Sequence, residues 1–162
     1  MAILPIRVVP DPVLGQKSKR VRTIDGSVQR LVEDMLETIH AVPGRVGLAA
    51  PQVGTLLRVI VIGIPDEEDI ALINPEIVRR TGERLVTEGC LSVPGYFGEI
   101  ERAQSVRVKG RDPSGKEIRI KAEELLAQAL EHEIDHLNGV LYLDHLESTD
   151  KLHKIEPEIA QL

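Results

Sequence analysis

Aromatic side chains are nearly missing from this sequence, which has one Phe, two Tyr and no Trp among its 162 residues. Its core must be filled by Ile, Val, Leu and Ala, and stacking platforms for bases or sugars are not expected. Cysteine is scarcer still. A single thiol, Cys90, cannot form a disulfide within the chain, which suits a reducing cytosol and a cytoplasmic location. Cys90 is then a buried small hydrophobe, a reactive thiol or a metal ligand. Positive charge is also in deficit: 20 Lys and Arg against 26 Asp and Glu give a net charge of -6. With its basic residues dispersed, the chain is not expected to bind specific nucleic acids or a membrane surface. The group Lys17, Lys19, Arg20 and Arg22 reads as a solvated loop. No apolar run approaches the length that spans a bilayer, and "MAILPIRVVPDP" lacks the layout of a signal peptide.

What is there suits one globular domain over residues 1–162, since 42% of the residues are hydrophobic and a chain of this length buries a substantial core. Pro5, Pro10 and Pro12 discourage a long helix in the first 24 residues. Apolar positions at Val28, Leu31, Val32, Met35, Leu36 and Ile39 predict an amphipathic helix, capped by Asp25 or Ser27 and ending before Pro43. "LLRVIVIGI" (56–64) reads as a buried strand, with short strands around Ala71–Ile73 and Arg84–Val86. "SVRVKG" and "KEIRIKA", joined by the turn-forming "RDPSG", predict a β-hairpin. A second helix is expected from about Ala122 to Leu137, stopped by Asn138-Gly139. "VLYLDHL" reads as extended, and Asp150 as the cap of a short last helix limited by Pro157.

The second helix carries "HEIDH". Residues four apart share a helical face, so His132 and His136 can present two imidazole nitrogens to one ion, with the Glu133 carboxylate beside them as a general base. The pattern fixes only three positions, and a solvated helix face with incidental histidines would also satisfy it. Helical phase argues otherwise. Leu125, Ala129, His132 and His136 form one row beside Leu126, Leu130, Glu133 and Leu137, so the histidines continue an apolar face. Buried imidazoles need partners.

A catalytic site of this kind takes three protein ligands and leaves one position open. No glutamate follows at the spacing of a thermolysin-like protease. His145 and His153 are downstream candidates without a recognisable spacing. Cys90, in "TEGCLSVPG", offers a thiolate and is the best third ligand.

"EGCLS" (88–92) followed by "HEIDH" (132–136) resembles the peptide deformylase family. Its third motif, Gly-x-Gly-Leu-Ala-Ala-x-Gln, is matched by "RVGLAAPQ" (45–52), except that Arg45 stands at the first glycine and Gly44 lies one residue earlier. "LINPEI" and "DHLNGVLYLD" extend the resemblance over nearly the whole chain.

The resemblance implies an α+β fold, with short, largely antiparallel sheets around a central metal-binding helix. It implies hydrolytic removal of the formyl group from N-formylmethionyl nascent peptides, hence transient proximity to the ribosome in a bacterial-type cytoplasm. Cys90, His132 and His136 would hold one divalent transition ion, Fe(II) by family habit, with Zn(II), Ni(II) or Co(II) as alternative occupants. Glu133 would move the proton, while the Gln52 amide and Leu91 backbone N–H would face the developing oxyanion. Val46, Gly47, Gly89, Leu125 and Ala129 are candidates to line the substrate cleft. Substrate backbone would pair with free strand edges near Val46 and "VPGYFG", with Tyr96 and Phe97 at the border. Glu88, Asp135 and Arg102 are candidates to orient the ligands. Two competing readings are a metallopeptidase cutting internal bonds and a metal-binding module without catalysis.

Overall fold

A computed structural model describes residues 2–146, 148 and 151–154. The first helix, α1, spans Gly26–His40. Its start is fixed by the Asp25 carboxylate, which accepts from the Ser27 and Val28 amides at 3.0 and 3.2 Å, satisfying donors that a helix leaves unpaired. Val28, Val32, Met35 and Ile39 form its buried stripe. The Thr38 hydroxyl donates to Asp34 O and accepts from the Leu4 amide, tying the irregular N-terminal segment to this helix.

A five-stranded antiparallel sheet follows the order β1-β2-β3-β6-β7. The ranges are β1 Gly47–Ala49, β2 Val59–Ile62, β3 Ile70–Thr81, β6 Ser105–Arg111 and β7 Glu117–Glu123. A three-stranded sheet, ordered β4-β5-β8, comprises β4 Arg84–Cys90, β5 Val93–Arg102 and β8 Leu152–Lys154. The second helix, α2, spans Glu124–Leu137. This is the expected α+β architecture.

Strand β2 explains how both helices fit on one sheet. All four of its residues are buried, and their alternation sends them to opposite faces. Val59 and Val61 join the core packed under α1, with Met35, Ile39 and Leu48. Ile60 and Ile62 join the core packed under α2, with Ala49, Leu72, Val106, Ala129 and Leu130. The same alternation in β1 turns Leu48 toward α1 and sets Gly47 and Ala49 on the α2 side.

Several expectations are corrected. Helix α2 starts two residues later than anticipated, because Ala122 and Glu123 complete the β7 ladder opposite Val106 and Ser105. Strand β3 is far longer than Ala71–Ile73, since a register shift between Ile73 and Glu76 absorbs Asn74-Pro75 without ending the strand. "VLYLDHL" is not extended: Tyr142–His145 form a 3-10 helix, with the Asp144 carboxylate accepting from the Leu141 amide. Tyr96–Gly98 is not a free edge either, because β5 lies between β4 and β8 and both neighbours pair with it. Nor does a helix follow directly on Asp150, because Leu152–Lys154 pair with β5 as β8; residues 155–162, where Pro157 was to limit that helix, lie outside the described residues.

Met35 is fully buried in the α1 core. Met35→Ala is expected to lower unfolding stability by about 2–5 kcal/mol, read from urea denaturation of chains with matched metal content. A loss below about 1 kcal/mol would show that this core closes over the cavity.

Candidate metal centre

Three elements meet at one buried point. Helix α2 is held at its C-terminal end by Arg58, whose guanidinium donates to Leu137 O at 3.0 Å and to the Asn138 side chain at 3.0 Å. Gly139 ends the helix at φ +73°, where a Cβ would fall 2.6 Å from Gly15 O; only glycine suits both constraints. The helix presents His132 and His136 on one face, each 1% exposed. Strand β4 ends at Cys90, opposite Val93 of β5, so the tight turn at Leu91-Ser92 aims the thiol at the helix. The 3-10 helix Ala50–Val53 brings Gln52 from a third direction.

Cys90, His132 and His136 each offer a ligand atom, all within 4.8 Å of one another. Cys90 Sγ is 3.3 Å from His136 Nε2, which is 3.1 Å from His132 Nε2. Tetrahedral coordination at ordinary bond lengths sets two nitrogens about 3.3 Å apart and a sulfur about 3.5 Å from a nitrogen. The spacing therefore fits one transition ion, and one thiolate with two imidazoles is a donor set such ions favour.

The protonation of the pair agrees. Burial opposes charge on His132, but the Glu88 and Glu133 carboxylates outweigh it and raise its pKa well above the ordinary value. Burial and the neighbouring His132 drive the pKa of His136 well below. The pair thus favours charge on His132 and a neutral His136.

The His132 ring is oriented from behind. Its Nδ1 donates to Glu88, which the Arg102 guanidinium clasps through Nε at 3.0 Å and Nη2 at 2.5 Å. Gln128, one turn before His132, donates to Glu88 at 3.2 Å and to Thr87 O at 3.1 Å. Arg102 Nη1 reaches Asp135 at 2.7 Å. Glu88, Arg102 and Asp135 thus form a mostly interior network, with Glu88 1% and Arg102 4% exposed. Burial alone would raise the pKa of Glu88, but His132 and Arg102 prevail and hold it at about 2.

Glu133 is fully buried, and neither carboxylate oxygen has a hydrogen-bond partner among the described residues. Burial, helped by Glu88 and Asp135 and opposed by His132 and Arg102, pushes its pKa up to about 7. It faces Gly47, where an added Cβ would lie 2.6 Å from Glu133 Oε2. The Gln52 carbonyl accepts from the Ala49 amide at 2.9 Å, and its amide nitrogen is 3.1 Å from Ser92 Oγ and 3.6 Å from Cys90 Sγ. Gln52 therefore both caps its own loop and points a donor at the cluster.

The remaining sequence candidates fall in different places. Leu91 is buried against the α1 core. Gly89 pairs with Phe97 across the β4–β5 ladder, and a Cβ there would meet Tyr96 O at 3.3 Å. Val46 and Ala129 are buried in the α2 core, with Leu125 half-buried at its margin. Arg45 turns away, donating from Nη1 to Thr38 O at 2.7 Å, while Gly44 takes the left-handed turn at φ +93°. Neither downstream histidine joins the cluster: His145 pairs with Asp135 at 2.9 Å, and His153 stacks on Phe97 with centroids 5.3 Å apart. Gln128 and Ser92 were missed by sequence reasoning. The i, i+4 spacing of Gln128 from His132 was the available signal for the first, whereas Ser92 had none beyond its place in "EGCLS".

Comparison with known proteins agrees with this geometry. A family model described as polypeptide deformylase matches residues 3–152. The peptide deformylase of Dehalococcoides mccartyi is 57% identical over 159 residues, covering 98% of this chain and 95% of that protein. The peptide deformylase of Thermomicrobium roseum is 45% identical over 166 residues, covering 98% and 94%. The crystal structure of the Ehrlichia chaffeensis peptide deformylase in complex with actinonin superposes with a TM-score of 0.89 at 42% identity, covering 93% of this chain and 92% of that one. The chain belongs to the polypeptide deformylase family.

Proposed function

We propose that this chain is a metal-dependent hydrolase that removes the formyl group from N-formylmethionyl peptides, working at the Cys90–His132–His136 cluster. The observation that carries this reading is the pairing of three candidate ligand atoms within 4.8 Å of one another with a buried carboxylate, Glu133, that has no partner among the described residues. A protein interior tolerates an unsatisfied carboxylate poorly, and a proton-transfer role explains why this one is kept free.

A divalent ion held by Cys90, His132 and His136 would supply Lewis acidity, acidifying water and polarising the formyl carbonyl. Glu133 accepts the proton lost by water as its oxygen attacks the formyl carbon. It returns that proton to the amine nitrogen as the C–N bond breaks, releasing formate and a free N-terminus. The Gln52 amide and the Leu91 backbone N–H donate to the developing oxyanion, and removing one such donor lowers the rate by about 10²–10³. Gly47 leaves Glu133 the room it needs. It belongs to β1, an edge strand of its sheet, whose free side suits pairing with a substrate backbone. Val46, Gly89, Leu125 and Ala129 complete the surroundings of the methionine side chain.

Ferrous iron is the physiological ion in this reading, with zinc, nickel and cobalt as other occupants that a thiolate and two imidazoles accept. The substrates are nascent formylmethionyl peptides, which place the protein in the cytoplasm and transiently near the ribosome. No helix among the described residues is long and apolar enough to cross a membrane, and the net charge of -6 disfavours specific nucleic-acid binding.

Glu133→Gln is expected to keep one metal per chain while deformylation of formyl-Met-Ala-Ser falls by about 10²–10⁴, measured together with metal content. Undetectable activity in the metal-loaded wild type would overturn the assignment. Gly47→Ala places a methyl against the Glu133 carboxylate and should lower kcat/KM at least about tenfold with metal retained; wild-type kinetics would remove Gly47 from the site. The iron form should lose activity in air while the nickel form keeps it, and equal survival under peroxide would argue against a thiolate-ligated ferrous centre.

A further inference from the structure

A surface groove of about 1210 Å³ is lined by residues of β3, β4, β5, α2 and the C-terminal segment, and by none of the three candidate ligands or Glu133. Two of its lining residues, His145 and Arg102, belong to a polar chain that runs inward, His145 at its outer end. His145 Nε2 lies 2.9 Å from Asp135 Oδ2, and Arg102 Nη1 reaches that same oxygen at 2.7 Å. Arg102 clasps Glu88, and Glu88 holds His132 Nδ1. Side-chain exposure falls along this chain from 39% at His145 to 19% at Asp135, 3% at Arg102 and 0% at Glu88 and His132.

We propose that His145 is a positioning residue for the metal ligand His132, acting through Asp135, Arg102 and Glu88; this rests on the metal-centre reading above. Asp135 is the weak link of the chain. It sits at the rim, and one of its oxygens serves both donors, so without a second anchor it is free to swing into water. A carboxylate oxygen only accepts, so His145 Nε2 carries hydrogen and donates in either charge state. His145 is itself held in place. Its 3-10 helix is capped by Asp144 on the Leu141 amide at 2.8 Å and anchored by Tyr142, which is 1% exposed. With Asp135 fixed, the third guanidinium nitrogen of Arg102 is fixed, and its two-point grip on Glu88 stays in plane. Glu88 then keeps the hydrogen on His132 Nδ1 and the lone pair of Nε2 toward the ion. Partners that touch a ligand directly change metal affinity about 10–100-fold. His145 acts three contacts further out, and a smaller change, about 3–10-fold, is expected.

The test is the rate at which cobalt(II) leaves the full-length chain into excess chelator, followed by the visible absorption of the cobalt form. His145→Phe keeps a flat ring but donates nothing, and release should be about 3–10-fold faster. His145→Gln keeps an N–H at similar reach and should restore the wild-type rate. In an Asp135→Asn background, His145→Phe should add no further acceleration. Urea midpoints of the metal-free variants separate this from a general loss of stability. Equal release by wild type and the Phe variant would overturn the proposal, as would equal acceleration by Phe and Gln. Failure of the wild type to bind one cobalt per chain would instead overturn the metal-centre reading.

Discussion

The clasp of Glu88 by Arg102 is the interaction on which the rest of the centre depends. Removing both charges from water costs several kcal/mol per ion, and the pair persists because its geometry answers that cost. Two guanidinium nitrogens meet two carboxylate oxygens, and the oxygens also accept from His132 Nδ1 and Gln128. A carboxyl held near pKa 2 stays ionised at any physiological pH. That permanence fixes the tautomer of His132. With hydrogen committed to Nδ1, Nε2 is the nitrogen left to face Cys90 and His136. Glu88 is two residues from Cys90 on β4, so one strand supplies both a candidate ligand and the anchor for a second candidate. Alternation along that strand puts both side chains on one face.

A second constraint sets how α2 meets β1. Strand β2 is buried on both faces, so α1 and α2 pack on opposite sides of the same short strands, and neither can slide without opening a core. This double packing brings Gly47 against Glu133 to within less than a side chain's width. The small residues Ala49 and Ala129 serve the same close approach in the α2 core. The scarcity of aromatics has a structural consequence here. Short aliphatic side chains let helix and strand come near enough for a backbone glycine to border the carboxylate.

Much of this was legible in the sequence, and the misses have physical causes. Helix α1 declared itself through a 3.6-residue stripe and an Asp cap, and β2 through a β-branched run between Gly54 and Pro65. The β6–β7 hairpin did so through alternation around Asp112 and Gly115. Strand β5 was expected only as a free edge near "VPGYFG": "VPGYFGEIER" contains a proline and two glycines, and its full length and central place follow from pairing with β4 and β8 on either side. Asn74-Pro75 suggested an end where the sheet accommodates a bulge. In the site, the three ligands and Glu133 could be nominated from motif and helical phase. The burial of Arg102 could not. Arginine is ordinarily exposed, and nothing local in "EIERAQ" reveals that Glu88 waits across the ladder with Asp135 on the helix above. Such a network is a product of tertiary packing between segments far apart in the chain.

The same packing explains why the cluster sits in a stable domain at a cost to that stability. Two imidazoles with their Nε2 atoms 3.1 Å apart cannot both be protonated in a buried setting, and the Glu133 carboxylate has no hydrogen-bond partner among the described residues. Each feature opposes folding of the metal-free chain. A cation held by Cys90, His132 and His136 would relieve both, by removing the need for a charged imidazole and by supplying positive charge to the cluster. Ion binding at this candidate centre would therefore also contribute folding free energy. The two aliphatic cores on either face of β2 supply the packing of the domain around it. That division of labour leaves Glu133 without a partner among the described residues inside a packed frame, as the proton-transfer role proposed for it requires.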